Sequence, residues 1–126
     1  PAAILARIIN PDFELLNETD QTALIDKCQF AVRKLAHFSV YTVLGTLALF
    51  ALSFHEKLNA KKRILFSSLI CLAYAVSDEI HQYFVPGRSC RLLDILIDFC
   101  GSLFGISIIF IITLIITKNK IKINDK

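Results

Sequence analysis

The sequence predicts an all-α fold, a membrane helical bundle with three transmembrane helices, and two observations carry the prediction. The first is how apolar residues are distributed: Phe38 to Phe54 contains no Asp, Glu, Lys or Arg, and Phe99 to Thr117 repeats the pattern. Each stretch is about long enough to cross ~30 Å of hydrocarbon at ~1.5 Å per residue. The second is where these stretches lie. A secretory signal peptide is one N-terminal stretch ahead of a small-residue cleavage site, and these are internal. Composition alone, 55% hydrophobic with a mean hydropathy of +0.58, also suits a soluble domain with a rich core. Soluble helices, however, alternate apolar and polar faces, and these stretches do not.

The elements follow in order. Residues 1–31 are read as a polar extracytoplasmic or interfacial segment, with a turn at Asn10-Pro11 and a helix start near Thr19 or Asp20. Ala23, Leu24, Cys28, Ala31 and Leu35 recur at roughly helical spacing, an amphipathic lead-in to the first span. The chain starts at Pro1 and contains no Met, so a fragment lacking an upstream helix is expected.

The transmembrane domain, residues 32–117, holds the spans. Span one is His37 to Phe54, and a basic loop with Lys57, Lys61, Lys62 and Arg63 follows it. Span two is Ile64 to Phe84, closed by Pro86-Gly87. Span three is Leu92 to Thr117, where Gly101 and Gly105 form a small-xxx-small pair that lets another helix approach closely. Residues 118–126 are a basic cytoplasmic tail with Lys118, Lys120, Lys122 and Lys126.

A net charge of +3 is too small to argue for nucleic acid, and the basic residues sit at span ends, where topology accounts for them. Placing the Lys57–Arg63 loop and the tail in the cytoplasm satisfies the positive-inside rule and puts the Arg88 loop outside. The four cysteines have neither zinc-site nor disulfide-scaffold spacing. Cys71 and Cys100 fall in apolar helix, and Cys28 and Cys90 have the topology to meet on one side of the membrane.

Topology then gathers the polar residues. His37 opens span one, Asp78, Glu79, His81 and Gln82 close span two on the same side, and Asp94 and Asp98 open span three from it. Helical spacing puts Asp94 and Asp98 on one face, and Asp78, His81 and Gln82 on another. A carboxylate facing lipid costs at least ~2.5 kcal/mol on insertion scales, so these groups are expected to face the bundle interior or a wet cavity.

Two readings compete. In the functional one, His37 and His81 are acid/base candidates with Asp78, Glu79 and Asp94. Arg33, Lys34, Tyr41, Gln82, Arg88 and Asp98 bind substrate, Arg88 gripping a phosphate or carboxylate in bidentate fashion. Tyr74 is a further phenol within reach of the acids. In the structural one, Asp78, Glu79, Asp94 and Asp98 pair with Arg33, Lys34, Arg88 and Arg91 in a network that holds helices together. Asp78, Glu79, His81, Asp94 and Asp98 are also potential ligands of a divalent cation, but no dense ligand motif such as HExxH is present, so no metal is assigned and no cofactor is named.

The same residues carry a family resemblance. Arg33-Lys34, His37-Phe38, Tyr41 and Gly45, then Asp78-Glu79-x-His81-Gln82-x-Phe84-x-Pro86-Gly87-Arg88, then Asp94, Asp98, Gly101 and Gly105 together resemble the VanZ-like membrane protein family. The likeness runs from about Arg33 to Gly105, and family members often carry Asn at the position of Asp98. It implies a multi-pass protein of the bacterial plasma membrane, with an additional helix before the Arg-Lys-x-x-His motif and a link to resistance against the glycopeptide antibiotic teicoplanin. The partners it implies, beyond the lipid bilayer, are a lipid-linked cell-wall intermediate or a lipoglycopeptide. The resulting expectation is an outward-facing polar pocket that binds or modifies an anionic envelope lipid or glycolipid. The alternative is a non-catalytic scaffold, and the sequence does not separate enzyme from binder.

Overall fold

The computed structural model describes residues 2–85 and 91–124, with side chains through Lys118. Arg88, Cys90 and the Pro86-Gly87 turn lie outside the described residues, as do the side chains of Lys120, Lys122 and Lys126. Four α-helices are present, α1 (Ala2–Ile9), α2 (Glu18–Ser53), α3 (Ala60–Tyr83) and α4 (Leu92–Asn124), with one 3₁₀ turn at Phe13–Leu15 and no strand among the described residues. The last three are long and apolar enough to cross a membrane. The chain divides into two compact units, Pro1–Ala36 and His37–Lys126.

In the first unit, Ala6, Phe13 and Cys28 form a small core, bordered by Ala2, Leu5, Leu16, Leu24 and Ile25. The polar reading of this segment missed α1, whose AAILARII run is mostly apolar; Ile4, Ile8 and Ile9 remain exposed. Arg7 ties α1 to the 3₁₀ turn, pairing with Glu14 at 2.9 Å and standing 5.8 Å from the centroid of the Phe13 ring. The chain turns after Ile9, where the Asn10 side chain accepts from the Asp12 amide. α2 then starts at Glu18, one residue ahead of the expected Thr19, because Asn17 Oδ1 accepts the Asp20 amide at 2.8 Å and satisfies an otherwise orphan donor. From there α2 is a single helix, so the amphipathic lead-in and the first span are one element.

The second unit is inside-out by the standard of a soluble domain. Its largest fully buried side chains are Glu79, Asp98, Cys71, Ser67 and Ser102, while Val43, Leu47, Phe50, Leu65, Leu69, Phe104, Ile111 and Leu114 are exposed. Water would penalise that exchange, and lipid favours it. Hydroxyls on the outer surface are satisfied within their own helices: Ser107, Thr113 and Thr117 each donate to a carbonyl four residues back.

Close packing is achieved with small residues. A Cβ on Gly101 would lie 2.5 Å from the Phe38 carbonyl oxygen; one on Gly45 would overlap Ser102 backbone, and one on Gly105 would overlap Thr42 backbone. α2 and α4 therefore touch main chain to main chain, and of the two readings the spacing allowed, a contact surface or glycines merely tolerated in a membrane helix, the Gly101/Gly105 pair is the contact surface.

The connection from α2 to α3 is tight. Arg63 Nη2 donates to the His55 carbonyl at 3.0 Å, and Asn59 caps α3 by accepting the Lys62 amide at 2.9 Å. Asn59→Ala should cost about 1 kcal/mol in denaturant titrations of the detergent-solubilised chain, with Asn59→Asp close to the parent.

Candidate functional site

Three helices of the second unit converge on one polar cluster, and their inner faces explain why. The packed stripe of α3 is Ser67, Cys71, Ala75 and Glu79, four residues apart at each step; that of α4 includes Asp98, Gly101, Ser102, Gly105 and Ile106. Tyr41, Gly45 and Leu49 form the stripe of α2. Small side chains let the helices close along most of this length. Near the C-terminus of α3 and the N-terminus of α4 the stripes change to carboxylates.

At that end His37 Nδ1 stands 3.4 Å from Asp98 Oδ1. Donor atoms of His37, Asp78 and Asp98 all lie within 4.8 Å of one another. Gln82 Nε2 donates to Asp78 Oδ2 at 3.0 Å. Tyr41 is 5% exposed and lies in the electrostatic field of Asp78 and Asp98, and Asp94 acts on Asp98 in the same way. Asp98 itself is 1% exposed, and its Oδ1 has no hydrogen-bond partner among the described residues. His37 Nδ1 thus stands beside Asp98 Oδ1 without hydrogen-bond geometry.

Glu79 is held differently. Its Oε1 accepts the backbone amide of Arg91 at 2.5 Å, immediately before the first residue of α4, and Oε2 is buried without a hydrogen-bond partner among the described residues. A carboxylate there satisfies an N-terminal donor and meets the positive end of the helix dipole. The sequence suggested an acid/base group or a partner for arginine side chains; the structure adds a main-chain partner, the Arg91 amide.

His81 is exposed and outside the cluster, so it does not share the packed face of Asp78 and Gln82. The reason is geometric: at about 100° per residue Gln82 and Glu79 lie on one side of Asp78 around the helix, and His81 lies about 60° to the other side, beyond the edge of the packed stripe. Tyr74 is likewise exposed. Arg33 and Lys34 belong to the first unit; Arg33 is exposed, and Lys34 Nζ lies 5.0 Å from the centroid of the Phe30 ring. A shallow concavity lined by Leu52, Phe54, His55 and Leu58 lies in the α2–α3 connection and contains none of the predicted site residues. Sequence reasoning overlooked the buried hydroxyls Ser67 and Ser102, whose signal was their four-residue spacing from Cys71 and Asp98.

These features define a class: a multi-pass helical membrane protein with three candidate spans and a part-buried cluster of one histidine and several carboxylates at one end. A family model described as VanZ/LLP1 matches residues 3–114. The chain belongs to the VanZ family. The match covers nearly the whole chain, including the N-terminal segment that no motif had reached. Neither the curated proteins nor the solved structures give a match.

Proposed function

We propose that this VanZ-family protein sits in a bacterial plasma membrane with its polar cluster toward the outer face, where it receives the anionic headgroup of an envelope lipid or glycolipid. The observation that supports this most is the convergence of half-buried His37 and Asp78 and buried Asp98 from three helices onto one point. Apolar packing would have joined the helices at less cost, and ionisable groups inside a membrane mark function by default. The basic loop and tail at the other end of the spans favour the outward orientation. Arg88 is the cation for a phosphate, and His37, with Asp78, Asp94 and Asp98, is the group for proton transfer where the lipid is modified. The family's association with teicoplanin resistance directs the choice toward a lipid-linked cell-wall intermediate.

Melting of the purified chain in nanodiscs tests the reading. Undecaprenyl phosphate added to phosphatidylcholine discs should raise the melting temperature by several degrees, and Arg88→Ala or His37→Ala should remove most of that rise. Equal melting with and without the anionic lipid would reject it. The scaffold reading has its own support in the Glu79 bond to the Arg91 amide, and it expects no lipid shift.

A further inference from the structure

We propose that His37, Asp78 and Asp98 form a binding site for one divalent transition-metal ion of the zinc class. The donor set is one imidazole nitrogen and two carboxylate oxygens, one from each of three helices, and all lie within 4.8 Å of one another. Ligands around a tetrahedral ion at ~2.0–2.2 Å are about 3.3–3.6 Å apart. The His37–Asp98 pair already stands at 3.4 Å, and Asp78 offers a carboxylate oxygen within 4.8 Å of both. A mixed nitrogen and oxygen set suits zinc or manganese better than calcium, which takes six to eight oxygens.

Charge balance and a buried oxygen without a hydrogen bond point the same way. Two carboxylates so close together in an apolar bundle repel each other, and a protonated His37 offsets only one of them. A dication neutralises both and leaves the imidazole neutral, the form that ligates. Asp98 Oδ1, buried and without a hydrogen-bond partner among the described residues, is aimed at His37; a metal ion supplies what it lacks. Asp78 is also prepared as a ligand, because the bond from Gln82 to its Oδ2 fixes the carboxylate and leaves the other oxygen available. Glu79 is engaged at the head of α4 and takes no part.

Three protein ligands leave a coordination position open, as in catalytic zinc sites. An anionic oxygen can bind there, which would explain how an acidic cluster receives an anionic headgroup. That consequence alone rests on the lipid reading.

The test uses the full chain in nanodiscs, stripped with chelator and titrated with Zn²⁺ by calorimetry and with Co²⁺ by visible absorption, without added anionic lipid. About one Zn²⁺ per chain is expected, with cobalt ligand-field bands of a four- or five-coordinate site. His37→Ala, Asp78→Asn and Asp98→Asn should each weaken zinc binding at least ~10-fold, and His55→Ala, exposed in the α2–α3 connection, should leave it unchanged. Zinc uptake well below one per chain, cobalt bands of the hexaaqua ion alone, or parent affinity in Asp98→Asn would each overturn the proposal. The cobalt spectrum of the parent decides the matter even where a variant fails to fold. Zinc binding without a lipid shift would refute the lipid reading and leave the metal site standing.

Discussion

Gly105→Ala should destabilise the three-helix unit by more than ~3 kcal/mol, beyond the usual 1–3 kcal/mol of overpacking. The new methyl would meet the Thr42 carbonyl and, at 2.9 Å, Thr46 Oγ1. A flexible side chain could swing aside, whereas the Thr42 backbone moves only if α2 shifts as a whole. Gly45→Ala, against the backbone of Ser102, should behave alike. Helices in lipid gain little from hydrophobic burial against each other, so their association depends on van der Waals contact, and a wedge at the crossing removes it along the interface. Leu114→Ala, on the exposed apolar surface, is the control and should change stability little. Unfolding in mixed micelles with increasing SDS measures both; a Gly105→Ala chain within ~1 kcal/mol of the parent would contradict the main-chain contact.

The spans were legible because membrane crossing is written in uninterrupted apolar length, which survives any uncertainty at helix ends. Helix α1 was not, since eight residues are too few to announce a span and lay beside a polar stretch. The convergence of His37, Asp78 and Asp98 followed from topology alone: antiparallel crossings bring the start of one span beside the end of the next. Which side chains turn inward was harder. Three- and four-residue spacings look equivalent on paper, so His81 was grouped with Asp78, yet the four-residue stripe selected by close packing rotates His81 outward. The partner of Glu79 was invisible in sequence because it is an amide twelve residues away in the chain, and any residue there carries one.

Glu79 gives the other large effect, and it separates a structural carboxylate from a chemical one. Glu79→Ala should cost about 2–4 kcal/mol, because it strips the Arg91 amide of its acceptor, leaves a void in a closely packed stripe and removes negative charge from the head of α4. Glu79→Gln keeps an oxygen for that amide and exchanges a charge-assisted bond for a neutral one, so it should lose only about 1 kcal/mol. Hydrogen exchange read along α4 localises the damage: amides in the first turn after Arg91 should lose protection in Glu79→Ala and largely keep it in Glu79→Gln. If both variants melt with the parent while the proposed lipid-induced rise in melting temperature disappears, Glu79 works on a ligand rather than on the helix. If the lipid-induced rise instead follows stability through both substitutions, the carboxylate matters because it holds Asp98, two turns further along α4, in place beside His37.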